Sequence, residues 1–186
     1  MATDKILIDY KIKTKCKDFA EKSAKTQRDF RSGGTNRRTV DMIVSDIERG
    51  KVGEAIVQKF LESYGIKIDL DFDIYPRGRW DDGDFTLKGM KFSIKASKSY
   101  ARWLLLESRD IERNYLFDYY IFVNVDKNLY GGIVRGYATM KDVLGFTKLK
   151  KGDFLPNTHS VLDADNHGRE VMYLSQNWDQ ILTDLK

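Results

Sequence analysis

An aspartate, a serine and a lysine stand at positions 84, 93 and 95, on either side of a short Lys88-Gly89 break. Residues 84–87 (Asp-Phe-Thr-Leu) and 90–96 (Met-Lys-Phe-Ser-Ile-Lys-Ala) alternate in polarity, the period-2 pattern of two half-buried strands. With a two-residue turn, Leu87 pairs with Met90, Thr86 with Lys91, Phe85 with Phe92 and Asp84 with Ser93, and partners share a face. Asp84, Ser93 and Lys95 then point the same way; a four-residue loop keeps that parity and a three-residue loop breaks it. A carboxylate beside a lysine suits metal-assisted phosphodiester hydrolysis. The carboxylate holds a hard divalent cation, and the cation lowers the pKa of a bound water and neutralises phosphate charge. The lysine orients or activates that water, or steadies the transition state. The same residues also describe an ordinary amphipathic hairpin with a charged outer face.

The elements around this hairpin must position it. Residues 4–10 start a short strand or helix, followed by a polar helix to about residue 29. Residues 30–38 (Phe-Arg-Ser-Gly-Gly-Thr-Asn-Arg-Arg) form a loop in which Gly33 and Gly34 permit close backbone approach. Arg31, Arg37 and Arg38, with the hydroxyls of Ser32 and Thr35, suit phosphate contact or a plain surface loop. No Gly-Lys-Ser/Thr closes it into a P-loop. Thr39 or Asp41 caps a helix with Val40, Ile43, Val44 and Ile47 at helical spacing, ending near Gly50. A second helix follows over 51–65, with Val52, Ala55, Ile56, Lys59 and Phe60 marking its stripe and Gly65 its stop. Glu54 sits beside that stripe, either as a functional acid or as a first-turn acid favoured by the helix dipole.

Strict alternation over 66–75 predicts a strand, and 76–83, with Arg77, Arg79 and Trp80, a loop. Leu104, Leu105, Glu107, Ile111 and Tyr115 suit a helix over 100–117, although Leu104–Leu106 could instead extend a strand. The apolar run 118–126 predicts a central strand buried on both faces. A strand over 131–138, a short helix over 140–145, a basic turn over 148–153 and a helix over 179–185 complete the chain. This order predicts a single-domain α/β protein, a mixed β-sheet flanked by helices. Its parts are a basic arm and loop (1–39), a core (40–126) and a C-terminal part of the same domain (127–186).

At 186 residues, 32% charged and 41% hydrophobic, the chain can bury a sizeable core. No apolar run reaches the ~20 residues of a membrane span, and no apolar signal segment opens it, which predicts a cytoplasmic protein. Residues 1–51 carry 13 Lys/Arg against 8 Asp/Glu, whereas 52–186 carry 19 against 20. The positive excess thus lies in the first segment, as an arm facing nucleic acid or as a solvated basic helix. The lone Cys16 has no internal disulfide partner and no nearby His, and reads as inert. His159 and His167 lack the spacing of a metal pair and read as surface loop residues. Tyr115, Phe117, Tyr119, Tyr120 and Phe122 read as core.

In sequence order, Asp84, the Ser93-Ile94-Lys95 triplet, the following helix and the strand at 118–126 resemble a PD-(D/E)XK nuclease. Glu54 matches the acid that many members carry on the preceding helix. The resemblance spans residues 40–126 and is most similar to small type II restriction endonucleases. Two departures stand out: Ser93 takes the place of the usual acid, and no proline precedes Asp84. Some restriction endonucleases of the superfamily also read Ser-x-Lys and supply the acid from the next helix, where Glu107 is the nearest candidate. The resemblance implies a restriction-endonuclease-like core and Mg²⁺-dependent, sequence-specific cleavage of double-stranded DNA by a homodimer. Asp84 would bridge the metal, Glu54 or Glu107 would complete its shell, Lys95 would position the water and Ser93 would make a secondary contact. Lys98 and Arg102 would lie near the site, and Arg31, Ser32, Arg37, Arg38, Arg77 and Arg79 would meet the DNA. A repair or junction-resolving nuclease of the superfamily, and a non-catalytic DNA-binding protein on the same fold, are the alternatives.

Overall fold

The hairpin forms with the register its spacing requires. In the computed structural model, which describes residues 4–27, 39–75, 83–114 and 116–185, β-strands Phe85–Leu87 and Met90–Lys98 pair antiparallel. Leu87 stands opposite Met90, Thr86 opposite Lys91 and Phe85 opposite Phe92. Lys88 and Gly89 both take positive φ, 49° and 79°, which lets a two-residue turn match the twist of its strands.

In chain order the elements are β1 (Ile6–Leu7), α1 (Tyr10–Gln27), α2 (Val40–Glu62), β2 (Phe85–Leu87), β3 (Met90–Lys98), β4 (Trp103–Glu107) and α3 (Ser108–Glu112). They continue with β5 (Tyr119–Val125), β6 (Gly131–Thr139), α4 (Met140–Leu144), β7 (Thr147–Leu149), β8 (Asn166–Glu170) and α5 (Trp178–Leu185). The main sheet is five-stranded, ordered β1-β6-β5-β3-β2. It is mixed: β3 runs parallel to β5, and the other neighbours are antiparallel. The protein is therefore mixed α/β. β5 lies at the centre with Tyr120–Val125 all buried, as its continuous apolar run demands. The residues of α5 at helical spacing, Trp178, Ile181, Leu182 and Leu185, join the core over this sheet.

α2 is one helix where the sequence suggests two. Thr39 caps it, its side chain accepting from the Met42 N–H at 3.3 Å, and the helix passes through Gly50 without a break. A glycine inside a helix costs about 1 kcal/mol, which the burial on either side outweighs. Ile43 and Ile47 pack against Ala20 and Ala24 of α1, and residues 51–57 are buried without interruption. α2 is held between α1 and the sheet, where it meets β3, β5 and β6. At Gly53 a side chain would be built into Ala96 Cβ of β3, so the glycine sets how closely helix and strand approach.

Three further expectations are corrected. Residues 66–75 form no strand. Ile66 and Ile68 are buried and Lys67 and Asp69 exposed, so the alternation records burial against the core without a ladder. Side chains serve that backbone instead: Gln58 Nε2 donates to the Ile68 carbonyl at 2.7 Å and Lys51 Nζ to that of Asp71 at 2.8 Å. The helix expected over 100–117 is β4 followed by the five-residue α3. β4 belongs to a second sheet, ordered β4-β8-β7. Leu104 and Leu106 pack with Tyr120 and Phe122, and Trp103 and Leu105 with Leu149, Leu155 and Leu162. An apolar run buried on both faces does not distinguish strand from helix. Third, His167 is buried in β8, not in a surface loop; His159 is exposed.

Cys16 is fully buried and its thiol is pushed up to about 12 by that burial, in keeping with an inert residue. Among the described residues no helix is long and apolar enough to cross a membrane.

Two alanine substitutions three residues apart in α2 test the helix–sheet contact. Gly53→Ala, which must push α2 off Ala96, is expected to destabilise by about 1–3 kcal/mol. Gly50→Ala, with open space around its Cβ, should stabilise by up to about 1 kcal/mol. Urea unfolding of both variants reads the opposite signs, and equal signs would contradict this packing.

Candidate active site

The residues next to the Gly53–Ala96 contact carry the chemistry. Glu54 follows the glycine on α2, and Lys95 precedes the alanine on β3. Between α2, β3, β4 and the segment at 71–75 lies a cavity of about 470 Å³. Its walls include Lys51, Glu54, Asp84 and Lys95, with Asp46, Asp71, Asp73 and the stretch Trp103–Leu105 around them.

Asp84 directly precedes β2. Its N–H donates to the Phe92 carbonyl at 3.0 Å, and its Oδ2 accepts from the Ile94 N–H. The carboxyl is thus fastened to the backbone of the strand that bears Lys95. Burial raises its pKa, against the opposing pulls of the Ile94 N–H, the Lys95 and Lys51 ammonium groups and, least, the Ser93 hydroxyl. Ser93 itself is buried, on the face of β3 that Asp84 approaches.

The two lysines differ. Lys95, opposite Phe122 of β5, has no hydrogen bond or ion pair among the described residues. Lys51 is buried, and its Nζ lies 2.5 Å from Glu54 Oε2 and 2.8 Å from the Asp71 carbonyl oxygen. It also sits over aromatic rings, 4.6 Å from the centroid of Phe19 and 5.7 Å from that of Phe72.

Of the residues singled out in the sequence, Asp84, Glu54 and Lys95 line this one cavity. Ser93 lies beneath it, close to Asp84. Glu107 is not among the cavity residues: β4 carries it into the second sheet, opposite Asn166, where its Oε2 lies 2.6 Å from Arg109 Nε. A residue expected on a helix beside β3 thereby ends on a strand of a different sheet. Lys98 and Arg102 are exposed and do not line the cavity; Lys98 Nζ lies 5.9 Å from the Tyr100 ring centroid. Arg31, Ser32, Arg37, Arg38, Arg77 and Arg79 lie outside the described residues.

Sequence reasoning missed Lys51, Asp46, Asp71, Asp73 and Trp103. A signal existed for Lys51, three residues before Glu54 and so on the same helix face. Another existed in Asp69-Leu-Asp-Phe-Asp73, whose alternation turns its acids away from the core side.

Asp84 and Glu54 are hard oxygen donors brought to one cavity from different elements. Among the described residues no three Asp, Glu, His or Cys side chains converge as a metal cluster. Two carboxylates nonetheless fit Mg²⁺, which keeps several of its waters and is bound through one or two carboxylates together with substrate phosphate. Compared with models of known protein families, with curated proteins and with solved structures, the chain matches none.

Because the folded-state pKa of Asp84 is raised, the folded protein loses stability as pH rises from the unfolded-chain value through the folded one. Asp84→Asn removes that loss. Its melting temperature at pH 7 is expected to equal or exceed that of the unsubstituted protein, with the advantage gone below about pH 4, where the carboxyl is protonated in both states. A lower melting temperature at pH 7 would contradict the desolvation of Asp84.

Proposed function

We propose that this chain is a Mg²⁺-dependent endonuclease of restriction type, hydrolysing phosphodiester bonds of double-stranded DNA. The observation that carries the reading is the meeting in one cavity of Asp84, Glu54 and Lys95, the last without an ion pair among the described residues. Charge supports it further. The described lining has five carboxylates, Asp46, Glu54, Asp71, Asp73 and Asp84, against two lysines; with Asp46 paired to Arg49 at 2.8 Å, the other four still outnumber the lysines, a field that repels phosphate unless a cation offsets it.

In this reading Asp84 and Glu54 hold Mg²⁺, which when bound supplies charge neutralisation at the phosphate and a water of lowered pKa. Lys95 directs the attacking water and donates toward the phosphate oxygens. Ile94 N–H and the Ser93 hydroxyl keep the Asp84 carboxylate turned to the cavity. The arginines at 31, 37, 38, 77 and 79 would contact the DNA backbone or bases, and a homodimer would place one site on each strand.

A second reading, a DNA-binding protein without catalysis, draws on a specific observation: Glu54 is already neutralised by Lys51 at 2.5 Å, and Ser93 supplies no carboxylate.

Incubation of the pure protein with long duplex phage-type DNA, with Mg²⁺ and with EDTA, separates these readings on a gel. Discrete Mg²⁺-dependent fragments are expected. A Mg²⁺-dependent smear would instead indicate a repair-type or non-specific nuclease. Uncut DNA of shifted mobility would leave the binding-only reading. Asp84→Ala and Lys95→Ala should each lower cleavage by at least about 100-fold while DNA binding stays within a few-fold. Parallel loss of binding would remove these two residues from the chemistry.

A further inference from the structure

We propose that Lys51 is a resident cation of the cavity, which a divalent ion must displace from Glu54 in order to bind. This rests on reading Asp84 and Glu54 as the cation's ligands. Lys51 is 6% exposed and Glu54 9%, so the pair has little water to share its charges. The ammonium is held on several sides at once, by Glu54 Oε2 at 2.5 Å, by the Asp71 carbonyl oxygen at 2.8 Å and by the faces of Phe19 and Phe72. The lysine thus binds directly one of the two carboxylates assigned to the metal.

Among the described residues the lining carries five carboxylates, of which Asp46 is paired with Arg49, and Lys51 is the lining lysine bonded directly to one of the other four. A divalent ion at the same carboxylates repels the ammonium and removes its reason to stay. Entry of the metal is thus an exchange at Glu54, in which Lys51 keeps only the Asp71 carbonyl and the two rings. The lysine weakens cation binding in proportion to its hold on Glu54. Lys95, with no ion pair among the described residues, does not compete in this way.

Calorimetric titration with Mn²⁺ alone tests the exchange without recourse to activity. Lys51→Met should bind Mn²⁺ at least tenfold more tightly than the unsubstituted protein. Lys51→Gln, which retains a donor toward Glu54 and the Asp71 carbonyl, should show the same direction if the methionine variant fails to fold. In a Glu54→Gln background, the difference made by Lys51→Gln should shrink below twofold, because the carboxylate being contested is gone. Unchanged or weaker Mn²⁺ binding on removal of Lys51 overturns the proposal and leaves the nuclease reading standing. An undiminished gain in the Glu54→Gln background also overturns it, since the lysine would then act through its field alone. Absence of Mn²⁺ binding in every protein, Lys51 variants included, overturns both this proposal and the metal-dependent reading.

Discussion

The close approach of α2 to β3 at Gly53 and Ala96 governs the rest of the arrangement. A helix normally stands off a sheet by the thickness of the side chains between them. Here one of the facing residues has none, and the other has a single methyl. The neighbours of the two contact residues in sequence, Glu54 and Lys95, are thereby brought to one cavity. β3 in turn cannot drift: β2 holds one edge and β5 the other, and the Asp84 side chain is bonded to its backbone at Ile94. The acid and the lysine are referenced to the same strand, and the second acid to a helix pressed directly upon it.

Around this contact the chain accepts local costs. A half-buried carboxyl has its pKa raised, a lysine is buried among aromatic rings, and a buried ion pair spans one turn of α2. Desolvation of such pairs offsets most of their Coulombic gain, so none of these features follows from a need for stability. Elsewhere the buried polar side chains of the described core, Asn124, Asn166 and His167, carry no formal carboxylate or ammonium charge, and aromatic rings pack in pairs, such as Phe92 between Phe85 and Tyr119. The concentration of charge in one cavity is where the sequence departs from the pattern it follows everywhere else.

What was legible in the sequence is what depends on near neighbours. The hairpin register followed from the alternation on both sides of Lys88-Gly89, the central strand from its apolar run, and α4 from a segment that is closed at Thr139 and Asp142 by reciprocal side-chain caps. Asp84, Lys95 and Glu54 could be picked out because strand parity and helix phase assign their faces. The remainder was decided by distant partners. Whether Trp103–Glu107 is a strand rests on residues 166–170, which pair with it, and the fate of Glu107 goes with that choice. Residues 66–75 alternate as a strand does but meet a helix side chain where a neighbouring strand would be. Lys51 was missed although it stands three residues before Glu54, and its packing against Phe19 and Phe72 from elsewhere in the chain makes it an interior charge.

The second sheet has a consequence for the order in which the protein is assembled. Trp103, Leu104 and Leu105 form one wall of the cavity, yet among the described residues the strand neighbour that pairs with theirs is β8, whose residues come much later in the chain. On the ribosome, the helix, the hairpin and the lysine strand emerge well before that neighbour does. Closing so long a loop is slow compared with forming a hairpin. The charged groups can therefore be in place while the cavity still lacks a finished wall, and the site acquires its shape only once residues 166–170 have been synthesised.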